Sequence, residues 1–201
     1  MTKVPGSTVT EGDVADIGYA ELDLSRGARC GAGEVVYGEG KTAEQIAGIV
    51  DALVAAGQAH VLVTRLSAEK FSRARELLTC GGELEYRADA RLAIAGGMPK
   101  ADGNGTIVVA CAGTSDLPVA EEAALTAEFL GNRVERVWDV GVAGLHRLLA
   151  HTDQLARAQV VIAVAGMEGA LASVIGGLVS CPVIAVPTSI GYGANLGGLS
   201  A

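Results

Sequence analysis

The stretch Ala112-Gly113-Thr114-Ser115-Asp116-Leu117-Pro118 follows an apolar, β-branched run and leads into a helix start through small residues that bear hydroxyls and one carboxylate. Gly113 permits a close approach of backbone to ligand, and Thr114 and Ser115 offer hydroxyls beside the helix start. Asp116 can cap that helix or accept from a ligand hydroxyl, while Pro118 is already shaped for an early helical position. On residue types alone two readings stay open: an ordinary turn capped by Asp116, or an anion site holding phosphate or ribose. Two further segments share the design. In Asp139-Val140-Gly141-Val142-Ala143-Gly144-Leu145-His146-Arg147, His146 can transfer a proton and Arg147 can pair with phosphate or carboxylate through two N–H groups. In Ala165-Gly166-Met167-Glu168-Gly169-Ala170-Leu171, glycines around Glu168 let its carboxylate reach a ligand or a helix start, which makes it the general-base candidate; Met167 reads as packing. A fourth segment, Pro187-Thr188-Ser189-Ile190-Gly191-Tyr192-Gly193, has the composition of a ligand wall. The chain has neither GxGxxG nor GxxxxGK[ST], so a standard dinucleotide fingerprint and a Walker loop are both excluded.

These segments need strand ends to hold them. Thr106 to Cys111, Arg133 to Trp138, Val160 to Ala165 and Val183 to Val186 read as strands, separated by helical stretches at Leu117 to Leu130, Leu145 to Ala158 and Gly169 to Val179. Continuous β-branched runs alternating with helices predict a parallel sheet covered on both faces, where ligands collect at the carboxyl ends of the strands. The first half is organised separately. Residues 1–20 read as a loose start before a short helix, Val35 to Tyr37 and Val61 to Thr64 as short strands, and Ser67 to Leu78 as a charged helix stopped by Cys80-Gly81-Gly82. Thr42, with Gln45 three residues on and Ile46, Ile49, Val50 and Leu53 at helical spacing, predicts a capped helix after Gly38-Glu39-Gly40-Lys41. Leu84 to Ile94 reads as a strand-like connector, and the cluster from Gly96 to Gly105 marks a boundary near residue 104. The predicted organisation is therefore a flexible segment 1–20, a smaller α/β domain 21–103, and a second α/β domain 104–201 that carries the ligand-facing loops.

Composition narrows the function. A net charge of −8 opposes a general nucleic-acid surface, although a small nucleotide can still be held by a few local cations and backbone N–H groups. Arg26, Arg29, Glu34, Lys41 and Arg65 form such a mixed-charge patch, either as solvated surface or as cations converging on the pocket. Apolar runs are broken well short of membrane-spanning length and no signal pattern follows Met1, so the expected location is the cytoplasm and the expected partner a small molecule. Cys30, Cys80, Cys111 and Cys181 lack the paired spacing of a zinc or redox site, and His60, His146 and His151 form no HExxH pair, so no structural metal is expected. Cys111 and Cys181 read as packed thiols.

Taken jointly, the segments 112–123, 139–147 and 165–171 resemble the LarB family, whose members begin nickel-pincer nucleotide biosynthesis, and the second half also resembles the PurE family of aminoimidazole ribonucleotide carboxylases and mutases. Asp23, Arg26, Arg29, the run Gly33 to Thr42, and Thr64-Arg65 extend the LarB resemblance into the first half. The resemblance implies a PurE-like three-layer, flavodoxin-like parallel-sheet domain with a smaller N-terminal α/β domain. It implies as substrates nicotinic acid adenine dinucleotide, carbon dioxide and water. The pyridinium ring is carboxylated at C5 and the phosphoanhydride hydrolysed, giving pyridinium-3,5-biscarboxylic acid mononucleotide and AMP. Glu168 and His146 are implied as catalytic, Glu168 handling protons; Ser115, Asp116 and Arg147 as nucleotide or phosphate contacts; Gly113, Thr114, Gly166, Met167 and Gly191 as further parts of the binding wall. Lys41 is implied to steady negative charge during anhydride hydrolysis, with Mg2+ as a further partner there, and the assembly to be a PurE-like homo-oligomer such as an octamer. The family pattern continues past Gly191-Tyr192-Gly193 into an LNSC-type motif with the nucleophilic cysteine; this chain stops at Ala201 without it. The C-terminal end is thus expected to be missing, or the thiol step absent. The runner-up readings are a PurE-like carboxylase or mutase and a non-catalytic nucleotide-binding assembly module.

Overall fold

The structure, a computed structural model, describes residues 11–80 and 83–190. It divides into two compact units, 1–98 and 99–201. Both are α/β, as expected.

In the first unit a turn of 3-10 helix at Glu11–Asp13 leads into an antiparallel hairpin of β1 (Val14–Asp16) and β2 (Glu21–Asp23). Ordered strands therefore begin inside the stretch expected to be loose. The short helix α1 (Arg26–Cys30) ends on Gly31, whose φ of 74° suits a residue without a side chain. The sheet that follows has the order β3 (Val35–Tyr37), β4 (Val61–Thr64), β6 (Leu92–Ala95), β5 (Leu84–Arg87). Strands β3 and β4 run parallel, whereas β6 is antiparallel to both of its neighbours. The connector read across Leu84 to Ile94 is thus a two-strand hairpin. Its turn contains Arg91 at φ 51°, a left-handed position that the sequence does not mark with glycine.

Helix α2 (Ala43–Ala55) starts at the predicted cap: Thr42 accepts from the Gln45 N–H, and the Gln45 side chain accepts from the Thr42 N–H at 3.0 Å. It buries Ile46, Val50 and Leu53 against Val61, Val63, Ala93 and Ala95. Helix α3 (Ala68–Leu77) keeps to the expected span, with Ser67 as its N-terminal cap and Leu78, at an extended ψ of 134°, as its C-terminal one; Gly81 and Gly82 lie outside the described residues. The chain after α3 is held by Asp51 of α2, whose carboxylate accepts from the N–H and hydroxyl of Thr79 (2.9 and 2.6 Å) and from the Cys80 N–H (2.9 Å).

The second unit is a parallel sheet in the order β10 (Val183–Pro187), β9 (Val160–Ala165), β7 (Thr106–Cys111), β8 (Arg133–Val137). Alternate residues of β7 serve opposite faces. Val108 and Ala110 pack with Leu148, Leu155, Leu171 and Ile175, while Val109 and Cys111 meet Ala120 and Ala124 of α4 (Leu117–Phe129). Two helical layers thus enclose the sheet, which is the expected three-layer arrangement. Half-buried Arg136 of β8 ties α4 to the sheet through Glu128 (2.6 Å) and Glu121 (3.2 Å). The stretch expected as one helix from Leu145 is two short ones, α5 (Leu145–Leu149) and α6 (Thr152–Ala156), and α7 (Ala170–Gly176) precedes β10. Because the chain passes from β7 to β8 on one side and then to β9 on the other, the strand order reverses between β7 and β9. Sheets of this class hold ligands at the carboxyl ends beside such a reversal.

Burial alone would raise the pKa of the Asp51 carboxyl, but hydrogen bonds from Thr79 and Cys80 outweigh it and hold the group below its ordinary value. A folded-state pKa lowered in this way contributes stability above the unfolded value, and that contribution is lost as pH falls through the folded one. Asp51→Asn is therefore expected to cost about 1–2 kcal/mol near neutral pH. In paired urea titrations the gap between variant and parent should shrink as pH drops below about 4.

Candidate functional site

A cavity of about 620 Å3 opens at the carboxyl ends of β7, β8 and β9. Its lining comes from three loops of one unit: Ala112 to Asp116, Asp139 to Arg147, and Ala165 to Leu171, with Ile190 on the wall. Its volume falls within the range of about 300–1,000 Å3 usual for small-molecule sites.

The loop after β7 turns once as 3-10 helix at Thr114–Asp116 and runs directly into α4. Asp116 is 5% exposed. One of its oxygens accepts from the Gly113 N–H at 3.2 Å, the other from the Thr188 hydroxyl at 2.6 Å. The carboxylate is thus first a structural brace, joining the end of β7 to the residue after β10. Gly113 lines the cavity; its φ of −140° is open to any residue, and a Cβ would stand 3.7 Å from the nearest Asp116 oxygen. Thr114 and Ser115 are exposed at the cavity mouth.

A close approach between two segments of the protein falls at Gly166. A Cβ there would stand 2.7 Å from Thr188 Oγ1 and closer still to the Ile190 carbonyl oxygen. The absence of a side chain lets the segment after β10 lie across the end of β9, where the Met167 N–H donates to Ile190 O (2.8 Å) and the Thr188 N–H to Ala165 O (3.0 Å). Met167 itself is left-handed, at φ 57°, and Gly169 likewise, at φ 66°. This tight turn carries Glu168 exposed on the cavity wall.

After β8, Gly141 packs on the β7 end, its N–H donating to Ala112 O at 2.8 Å. Arg147 lines the cavity and pairs through Nη1 with Asp139, which is left-handed at φ 58°. Arg147 lies over Gly144, where a Cβ would come within 2.6 Å of its Nε. His146, next to it on α5, is exposed and is not part of the lining. Lys41 belongs to the other unit, in the loop entering α2, and Gly191 lies outside the described residues. Sequence reasoning placed Asp139 and Gly144 in the right loop without giving them a task, and it missed the brace from Thr188, which lies 72 residues from Asp116.

In the first unit two members of the mixed-charge patch, Arg29 and Glu34, join a local network through Asp23. Asp23 pairs with Arg29, whose hydrogen bond holds the Asp23 carboxyl below its usual range, and the Asp23 N–H donates to Glu34 at 2.6 Å. Lys70 donates to the Gly38 and Glu39 carbonyl oxygens (3.2 and 2.6 Å), fixing the loop that carries Lys41.

Cys111 ends β7 beneath the cavity floor, fully buried, with its thiol donating to Gly113 O at 3.2 Å. Burial, reinforced by the negative charge of Asp116, pushes the thiol up to about 12. A thiol so held is inert as a nucleophile, in keeping with its reading as packed. Among the described residues no group of three or more His, Cys, Asp or Glu side chains is placed to hold a metal ion. Mg2+ carried on substrate phosphates needs only one or two protein carboxylates, but the described carboxylates build no dedicated cage. No described helix is long and apolar enough to cross a membrane.

The second unit thus defines a class: an α/β domain with a cavity of small-molecule size at the reversal of a parallel sheet. Residues 14–96 match the family model of the LarB/PurE-like N-terminal domain, and residues 106–200 match that of AIR carboxylase. An uncharacterized protein of Methanocaldococcus jannaschii is 38% identical over 180 residues, covering 88% of this chain and 70% of the relative. The chain belongs to the LarB family, with a PurE-like second domain.

Two outcomes are expected. Gly166→Ala forces the wall after β10 away from β9 and should cost about 1–3 kcal/mol in urea unfolding, with weakened ligand binding by calorimetry. In alkylation followed by mass spectrometry at pH 8, exposed Cys30 should react within minutes while Cys111 stays unmodified until the protein is unfolded.

Proposed function

We propose that this protein is a LarB-type enzyme of the cytoplasm that carboxylates the pyridinium C5 of nicotinic acid adenine dinucleotide and hydrolyses its phosphoanhydride. The products are pyridinium-3,5-biscarboxylic acid mononucleotide and AMP. The observation that carries this reading is the meeting, in one 620 Å3 cavity, of the hydroxyls of Thr114 and Ser115, the guanidinium of Arg147 and the carboxylate of Glu168. The hydroxyls and guanidinium suit ribose and phosphate, and the carboxylate suits proton transfer at the ring.

The chemistry needs a temporary nucleophile, because a cationic aromatic ring is too electron-poor to attack carbon dioxide. Addition of a thiolate gives a neutral dihydropyridine with enamine character, whose C5 then forms the bond to carbon dioxide. Glu168 takes the C5 proton, and expulsion of the thiolate restores the aromatic cation. Water cleaves the phosphoanhydride, the second half of the reaction. Cys111, held protonated beneath the floor, is not that thiolate. The family pattern places the nucleophile in an LNSC-type motif downstream of Gly191-Tyr192-Gly193. Within this reading Ser115 and Arg147 bind the mononucleotide half, Asp116 holds the loop that presents Ser115, and Gly166 and Met167 shape the wall; Mg2+ would come with the substrate's phosphates, and no step is routed through it. A PurE-like homo-oligomer, octameric by family analogy, belongs to the same proposal.

The match of residues 106–200 to AIR carboxylase favours one second reading, carboxylation or mutation of aminoimidazole ribonucleotide. One assay separates the two. The full gene product, incubated with nicotinic acid adenine dinucleotide and bicarbonate, should yield AMP and the doubly carboxylated mononucleotide by mass spectrometry, with Glu168→Gln lowering turnover about 100-fold or more. Turnover of aminoimidazole ribonucleotide instead would establish the second reading. Nucleotide binding with no turnover of either substrate would leave only a binding module.

A further inference from the structure

The loop after β8 holds two features that meet at Arg147. Asp139 stands in left-handed backbone at φ 58°, a conformation that Asp adopts more readily than most L residues. Its carboxylate pairs with Arg147 while the two side chains remain 53% and 39% exposed, and a pair that open to solvent adds little to stability. Gly144 is the second feature. Its φ of −127° does not call for glycine, yet a Cβ would stand 2.6 Å from Arg147 Nε and 3.0 Å from Nη2. The space left by the missing side chain is filled by the guanidinium.

The guanidinium is thus held from two sides. Asp139 takes the Nη1 end, and the gap at Gly144 accepts the Nε and Nη2 edge. A guanidinium held in one orientation offers its charge and its remaining N–H groups to a phosphate from a fixed place. A long side chain on an exposed helix loses rotamer freedom when it binds, and fixing it beforehand removes that cost.

We infer that Asp139 and Gly144 are positioning residues that preset Arg147 for the ribose 5′-phosphate of the ligand's mononucleotide half, and so set the pocket's preference for phosphorylated nucleosides over unphosphorylated ones. This rests on the reading of the cavity as a nucleotide site, but not on the carboxylation chemistry. Neither residue needs to touch the ligand.

The test is equilibrium binding to the full chain by calorimetry, with nicotinic acid mononucleotide, its phosphate-free riboside and aminoimidazole ribonucleotide as probes. Asp139→Asn and Gly144→Ala should each weaken the mononucleotide about tenfold and leave the riboside within about twofold, with thermal midpoints close to the parent's. In an Arg147→Ala background, Asp139→Asn should have no further effect, because a positioning residue acts only through the group it positions. Equal weakening of mononucleotide and riboside, no weakening, additive losses, or failure of the parent to prefer any phosphorylated probe would each overturn the inference. If aminoimidazole ribonucleotide alone shows this dependence, the positioning role stands and the nicotinate reading falls. If carboxylation is absent but the binding pattern holds, only the proposed reaction is lost.

Discussion

The hydrogen bond between the Thr188 hydroxyl and Asp116, 2.6 Å long with both residues about 5% exposed or less, joins the loop after β7 to the segment after β10 at one wall of the pocket. A charged acceptor taken from water needs its lone pairs satisfied, and Asp116 meets that need from two directions, with Gly113 on its own loop and Thr188 after β10. The bond pulls the segment after β10 over the end of β9, which is possible only because residue 166 has no side chain. The turn Gly166 to Gly169 is then fixed from outside through the hydrogen bond from Met167 to Ile190. One buried carboxylate therefore sets the walls, and the exposed groups of the cavity inherit their places from it.

That division of labour explains why the cavity mixes buried and exposed polar residues. Asp116 and Thr188 are buried and mutually satisfied, whereas Thr114, Ser115 and Glu168 are exposed at the mouth. Groups meant to bind a ligand cannot already be fully engaged by the protein, and groups meant to hold the frame cannot be left to solvent. Arg147 lies between these cases, half-buried, with one end paired and its other edge over Gly144.

Much of this was legible in the sequence because the second half is locally consistent. β-branched runs, a proline in the first turn of α4 and capping residues all agree on a parallel sheet with loops at its carboxyl ends. The cap at Thr42 was equally plain, since Gln45 completes it within three residues. What was not legible depends on conformation or long range. Nothing near Asp116 announces Thr188, Arg91 and Asp139 turn left-handed without a glycine to mark them, and the reason for Gly166 lies in the carbonyl oxygen of Ile190. His146 illustrates the same limit: chemically suitable and adjacent to Arg147, it is exposed on α5 rather than part of the lining, because neighbours on a helix point about 100° apart.

The central claim is that the ligand occupies the cavity at the ends of β7, β8 and β9. A titration of the isotope-labelled protein with nicotinic acid adenine dinucleotide, followed through backbone amide shifts, tests it directly. The account predicts saturable changes at residues 113–116, 141–147 and 166–168, at one common dissociation constant. Saturable changes confined to other parts of the chain, with those three loops unmoved, would contradict it.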